Sequence, residues 1–189
     1  MKRTPFRDWP CSVARSVDVL GDWWTPLVLR EAFLGATRFE EFQSALSIGR
    51  NILTQRLGRL VSEGLLEKRQ YQDRPKRYEY LLTEKGTDIF DVMLALLRWG
   101  DRWLDKGAGP PLLIRHTPCG HIGPAESACS KCGARLRWQD VEVEPGPGLT
   151  KELAKGFTTT AKRRGARTSA NAGRRASGAA KDARGSGTV

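Results

Sequence analysis

Apolar positions recur at helical intervals through most of the first hundred residues. Ser12 to Leu20 places Val13, Val17 and Leu20 on one side and meets Gly21, which predicts a short helix. "TPLVLREAFLG" predicts a second, with Thr25 as N-cap, Pro26 at the first helical position and Gly35 just past the end. "TRFEEFQSAL" opens with the capping-box pattern Thr37-x-x-Glu40 and spaces Phe39, Phe42 and Leu46 along one face. Ser47 is then expected to cap a fourth helix. Over 48–63, at about 100° per residue, Leu53, Leu57, Leu60 and Val61 form one apolar stripe. Asn51, Gln55 and Arg59 form a ridge on the opposite side, flanked by Arg50 and Thr54, and Gly64 ends the helix.

The period then changes. "LLEKRQY" and "RYEYLL" are β-favouring runs separated by "QDRPK", and Tyr78, Tyr80 and Leu82 alternate with Arg77, Glu79 and Leu81, as in a half-exposed strand. From Thr83 to about Asp105 the helical period returns, with Ile89, Met93, Leu97 and Leu104 joined by Trp99 and Trp103. This helix is apolar on more than one stripe, which predicts a partner, such as a second copy of the chain. "KGAGPP" (106–111) reads as a linker, 112–145 as a second small unit, and 146–189 as a disordered tail of Gly, Ala, Ser, Thr, Lys and Arg.

The order of helices, turn, helix, hairpin and helix is that of a winged helix-turn-helix. The fold class expected is therefore mainly α with a β-hairpin wing, followed by a zinc-ribbon-like β unit and the basic tail. The major groove of B-DNA is about 12 Å wide and accepts one α-helix, in which Asn and Gln pair with adenine and Arg with guanine. Arg50, Asn51, Thr54 and Gln55 supply such side chains near the start of the fourth helix, where recognition helices touch bases. Arg59 lies two turns further on, suited to a phosphate. Free N–H groups behind Ser47 suit a phosphate as well, and Arg74, Lys76 and Arg77 at the hairpin tip suit the backbone or the minor groove. A polar helix face alone is usually only a solvated face. Here it coincides with a preceding capped helix and a cationic finger.

The blocks "DVLGDWWTPLVLRE", "RFEEFQ", "LTQRLGRLVSEGLLEKRQY" and "YEYLLTEKG", with Cys11 ahead of them, resemble the HxlR family of winged helix-turn-helix regulators, relatives of the MarR group. The resemblance covers about residues 11–105, within a domain drawn at 11–108. It implies a homodimer in which N- and C-terminal helices pair, bound to roughly palindromic double-stranded DNA with half-sites about 34 Å, or a multiple of one turn, apart. Repression relieved by a small ligand or by thiol modification is the mechanism expected, from the apolar helix over 84–105 and from Cys11. In some members a cysteine at the position of Cys11 is a thiol switch. Cys11 precedes a helix with Arg7 and Arg15 nearby, an arrangement that favours a reactive thiolate; the plainer reading is an inert thiol packed in a dimer helix.

In "HTPCGHIGPAESACSKCG", His116-x-x-Cys119-Gly and Cys129-x-x-Cys132-Gly read as the same knuckle, with His replacing the first Cys. Three thiolates and an imidazole predict a tetrahedral structural Zn2+ site. His121 is a rival to His116 as fourth ligand. "LLIRH" and "ARLRWQDVEV" are expected to flank the site as strands.

Net charge adds one refinement. Of the +11 carried by 189 residues, residues 150–189 hold 10 Lys/Arg against 2 Asp/Glu, and residues 1–149 hold 22 against 19. The excess favours polyanions, and the tail suits sequence-independent phosphate binding. A nucleoid-associated, general DNA-binding protein driven by that tail is the alternative function. No apolar run is long enough to span a membrane and no secretory signal precedes the first helix, so a cytoplasmic, nucleoid-associated protein is expected. The only two histidines both lie in the knuckle region, which leaves little acid–base chemistry and argues against an enzyme.

Overall fold

The computed structural model describes residues 5–104, 106–107, 109–141 and 146–148. Almost all of the tail expected over 146–189 lies outside the described residues. Helices α1 (Ser12–Leu20), α2 (Thr25–Phe33), α3 (Phe39–Leu46) and α4 (Arg50–Ser62) precede an antiparallel hairpin of β1 (Leu66–Asp73) and β2 (Lys76–Leu82). Helices α5 (Glu84–Asp88) and α6 (Phe90–Trp103) follow. This is a winged helix-turn-helix, as the hydrophobic periods predict. The chain divides into two compact units, Met1–Glu126 and Ser127–Val189. The division falls between the two predicted knuckles and not at the linker over 106–111. One tie of residues 112–126 to the first unit is a hydrogen bond from Arg98 Nη1 on α6 to the Ala125 carbonyl, 3.1 Å.

The core is built from α2 (Val28, Leu29), α3 (Phe42), the turn residue Ile48, α4 (Leu53, Leu57, Leu60) and the start of the hairpin (Leu65, Leu66), all of them buried. Helix starts depart from expectation in three places. At α2, Trp24 occupies the N-cap and Thr25 is already helical. The capping acceptor is Asp22, whose Oδ1 accepts from the N–H groups of Trp24 (2.9 Å) and Thr25 (3.0 Å). At α3 the box is shifted by one residue. The Thr37 carbonyl accepts from Tyr80 N–H of the wing (2.7 Å), and Arg38, extended (φ −101°, ψ 149°), is the N-cap. The helix therefore begins at Phe39, and Glu41 reaches back to the N–H groups of Thr37 (2.7 Å) and Arg38 (2.9 Å). At α4, Ser47 does not cap. It closes α3 in the left-handed region (φ 49°, ψ 35°), and Gly49 is the N-cap of α4.

The helix predicted from Thr83 onward is split at Ile89 (φ −69°, ψ −9°). Thr83 Oγ1 donates to the Gly64 carbonyl (2.6 Å) and accepts from Gly86 N–H (3.0 Å). Gly86 lies so close to the preceding loop that a Cβ there would come 2.0 Å from the Leu65 carbonyl oxygen. With α5 seated this tightly, the chain turns at Ile89 to bring α6 beside α2, where the Phe33 and Phe90 rings meet at a tilt of 54° with centroids 5.1 Å apart. The strands expected around the knuckles are reduced to two isolated bridges, Arg115–Ile122 and Ala128–Arg135, and a 3-10 turn occupies Trp138–Asp140.

The two backbone hydrogen bonds, that of Arg38 foremost, hold the Glu41 carboxyl below its ordinary value of 4.5. A lowered folded value means that the cap contributes fully above the ordinary value and is lost as pH falls through the folded one. Glu41→Ala is therefore expected to destabilise by about 0.5 kcal/mol at pH 7, the low end for a capping residue because the group is exposed. The gap to the parent should narrow in acid, as read from denaturant midpoints across a pH series.

Candidate nucleic-acid interface

The inward stripe of α4 sets what its outer face presents. Leu53 and Leu57 are fully buried and Leu60 nearly so, which turns Arg50, Asn51, Thr54 and Gln55 to solvent. Among the described residues, the side chains of Asn51 and Gln55 make no hydrogen bond, so their amide donors and acceptors are available. Thr54 Oγ1 donates to the Arg50 carbonyl (2.8 Å), a bond internal to the helix. The Arg50 guanidinium lies 5.1 Å from the ring centroid of Phe39, which steadies it at the start of α4 without consuming its N–H donors. Because Gly49 caps α4 without a side chain, the first N–H groups of the helix are unshielded. Ser47 is exposed in the turn before them.

Arg59 departs from expectation. Its Nη2 donates to the backbone carbonyl of Asp18 at the end of α1, and the side chain is half-buried. It is committed to protein and leaves the candidate interface. Arg56, not singled out in the sequence, acts beside it: its Nε lies 2.9 Å from Asp22 Oδ1, an ion pair whose N–H is turned off the line of a hydrogen bond. Two arginines of α4 thus hold the α1–α2 turn, one by a carbonyl and one by the carboxylate that caps α2.

The wing carries the remaining predicted cations. The register pairs Leu66 with Leu82 and Asp73 with Lys76, with an irregularity between Gln70 and Gln72 that leaves Tyr71 unpaired. Arg74 and Pro75 form a two-residue tip, where Arg74, Lys76 and Arg77 are all exposed. Arg38 was not legible as a site residue. A bridge with Glu79 brings it to the wing, and its guanidinium lies 4.8 Å from the Tyr71 ring centroid, between α3 and the hairpin. Only the pairing of Thr37 with Tyr80 places it there, and no local pattern announces that pairing. Arg69 is taken up by Glu79 at 2.7 Å.

Cys11 is exposed at the N-cap of α1. The two arginines read as its neighbours are engaged elsewhere, Arg7 with Glu63 (2.5 Å) and Arg15 with Ser12 Oγ (3.2 Å). In the first knuckle, His116 Nδ1 lies 3.1 Å from Cys119 Sγ. His121 turns aside, its Nε2 filling the space that a Cβ on Gly123 would need. In the second, hydrogen bonds from the backbone of Cys132 and then Lys131 lower the Cys129 thiol from its ordinary value of 9.0. Among the described residues no three His, Cys, Asp or Glu side chains gather as a group able to hold a metal; each knuckle supplies a pair. No helix of the described residues is long and apolar enough to cross a membrane.

Residues 19–108 match the HxlR-like helix-turn-helix family. An uncharacterized HTH-type transcriptional regulator of Mycobacterium tuberculosis is 41% identical over 143 residues, 76% of this chain and 90% of that protein. A second, from Synechocystis, is 36% identical over 97 residues, 51% and 72% of the two chains. The crystal structure of PA1607, a candidate transcription factor, superposes with a TM-score of 0.68 at 31% identity, over 76% of this chain and all of that one. PA1374 of Pseudomonas aeruginosa, also a candidate transcription factor, gives 0.56 at 34% identity over 77% and 99%. A match of 143 residues in a chain of 189 includes 47–143 wherever it begins, so likeness to the mycobacterial protein runs past residue 108 and through both knuckles.

Arg59→Ala should destabilise by about 1–2 kcal/mol through loss of a charged donor to a carbonyl and leave the salt dependence of DNA binding unchanged. A thermal melt reads the first and anisotropy titrations at several salt concentrations the second. A slope lowered by about one would place Arg59 on a phosphate instead.

Proposed function

The chain belongs to the HxlR-like helix-turn-helix family of DNA-binding transcriptional regulators, which are not enzymes, and from that premise we propose that it is a homodimeric, sequence-specific repressor that reads a roughly palindromic operator. The observation that carries this reading is the outer face of α4. Asn51 and Gln55 stand exposed and uncommitted beside Arg50, on a helix whose opposite stripe is locked in the core. Side chains able to bond bidentately to base edges, held on a rigid element, suit direct readout of a major groove. Arg74, Lys76 and Arg77 on the wing, with Arg38 at its base, suit phosphates. Such contacts orient the protein on the duplex and carry no sequence information themselves.

Dimerisation is supported by α6. Val92, Leu96, Trp99 and Trp103 recur at helical intervals and are 43–63% exposed, while Met93, Leu94 and Leu97 are half-buried. Val13 (72%) and Val17 (46%) expose a second apolar strip on α1. Apolar stripes of this length on the first and last helices of a DNA-binding domain suit pairing with a second copy, which would present two recognition helices about one DNA turn apart. Relief of repression by a small ligand or by modification of Cys11 would act by altering that spacing. The exposed thiol at the start of α1 makes oxidant-dependent release worth testing against Cys11→Ser.

Asn51→Ala and Gln55→Ala should each weaken operator binding by about 1–3 kcal/mol and leave random DNA almost untouched. Lys76→Ala should weaken both alike and lower the salt slope by about one. Anisotropy titrations on operator and scrambled duplexes separate the two outcomes. If Gln55→Ala weakens both duplexes equally, Gln55 contacts backbone.

Leu96→Glu should convert the dimer to a monomer in sedimentation velocity, because it places a charge in the apolar stripe. A protein that stays dimeric after this change pairs through another surface.

A further inference from the structure

The glycines of the winged domain divide by what the chain itself requires of them. A Cβ on Gly21 would come 2.3 Å from the Val17 carbonyl oxygen, and one on Gly86 would come 2.0 Å from that of Leu65. Gly35 (φ 100°) and Gly64 (φ 72°) stand in the left-handed region, which favours glycine, and Gly49 is the N-cap of α4. Among the described residues nothing requires a glycine at 58 or at 100. Both lie inside helices, with no atom within 4 Å of the place a Cβ would take. Glycine in a helix interior is less stable than alanine, because it has more backbone freedom to lose on folding. Gly100 adjoins Leu96, Trp99 and Trp103 on α6, the surface proposed above for pairing. Gly58 is exposed on α4.

At about 100° per residue, Asn51, Gln55, Gly58 and Ser62 line the face of α4 opposite the buried leucines. The other side chains between Gln55 and Ser62 are engaged with the protein. Arg56 pairs with Asp22, and Arg59 donates to the Asp18 carbonyl. Leu57 and Leu60 lie in the core, and Val61 packs against it. Ser62 turns its hydroxyl back to the Arg59 carbonyl, 2.8 Å away. Beyond Gln55 the outer surface of α4 is therefore nearly bare backbone, centred on Gly58. The first half of this face offers amides long enough to reach a base edge. The second half offers close approach.

We propose that Gly58 is a positioning residue for DNA binding: it lets the sugar–phosphate wall of the major groove pass against the backbone of α4, and so sets how deeply Asn51 and Gln55 enter the groove. The inference rests on the reading of α4 as the helix that enters the duplex. From Arg50 to Gly58 the helix axis advances about 12 Å, at about 1.5 Å per residue, and the major groove is about 8.5 Å deep. A helix that enters start-first, with Arg50 and Asn51 at the base edges, carries Gly58 to the lip of the groove, where the backbone of the duplex lies. A bulkier residue there holds α4 off, and the amides ahead of it lose their reach. The contact is one of shape and carries no charge, so it leaves the release of counterions unchanged.

The test uses the full chain and the duplex that the parent protein enriches most from a random pool. Gly58→Ala and Gly58→Leu should both raise the melting temperature, by about 2–4 °C, because each is a better helix former at an open position. Both should nevertheless weaken binding to that duplex in anisotropy titrations, Gly58→Leu by about tenfold, the loss of one base contact, and Gly58→Ala by less. The salt slope should stay that of the parent, since no charge changes. With Gln55→Ala already in place, Gly58→Leu should weaken binding by no more than about threefold, because a contact it displaces is gone. A raised melting temperature with affinity unchanged would overturn the proposal and leave the reading of α4 standing. Equal losses with and without Gln55 would overturn the positioning role. A parent protein that enriches no sequence would overturn the reading of α4, and the role of Gly58 with it.

Discussion

The apolar stripe of α4 is the contact on which the rest of the first unit depends. Leu53, Leu57 and Leu60 interlock with Val28, Leu29 and Phe42 of the two preceding helices. Burying a leucine is worth about 1.5–3 kcal/mol, so three on one helix leave it no freedom to roll about its axis. A roll of one residue would carry a leucine into water and an amide or guanidinium into the core. The polar face is therefore defined by exclusion: whatever is opposite the leucines must face outward. Leu65 and Leu66 continue the same core into the hairpin, so the wing and the polar ridge are held by one cluster and keep a constant relation to each other.

The contacts around that cluster bind neighbouring elements to α4. Arg56 and Arg59 hold the α1–α2 turn through Asp22 and the Asp18 carbonyl, and Asp22 also caps α2. At the far end, Lys85 Nζ donates to the Glu63 carbonyl (2.6 Å), and Thr83 ties the start of α5 to Gly64. Of the helices with apolar surface to spare, α1 thus connects to α4 directly by polar contacts, and α6 follows α5, which is tied to the end of that helix. In the proposed dimer, a change in how two copies pair along those helices would have a mechanical route to the spacing of the two α4 helices.

Much of this was legible because it follows from local period. The four helices, the hairpin and the buried leucines come from spacing that needs no tertiary information, and the two-stripe character of α6 is visible in the recurrence of Met93 and Leu97 beside Leu96 and Trp99. Departures occur where a distant partner decides. Ser47 has a capping side chain, but the turn between α3 and α4 requires a left-handed residue there, and Gly49 takes the cap. Thr37 matches a capping box, but its carbonyl pairs with Tyr80 of the wing and Arg38 takes the cap. Arg59 sits on the ridge by angular position, yet its long side chain bends back to a carbonyl of α1. Arg38 joins the wing through a single strand pair that no local pattern announces. The likeness of the two knuckles was partly visible as His116-x-x-Cys119-Gly and Cys129-x-x-Cys132-Gly, and the backbone hydrogen bonds extend it over 114–123 and 127–136.

The central claim is that the face of α4 opposite the core reads base sequence in a two-fold arrangement. Selection of bound duplexes from a random pool by the full-length protein tests it most directly. The account predicts enrichment of an inverted repeat whose half-sites are centred about 34 Å, or a whole number of helical turns, apart, with enrichment lost when Asn51 and Gln55 are both replaced by alanine. Tight binding with no enriched sequence, or an inverted repeat selected equally well by the doubly substituted protein, would contradict it.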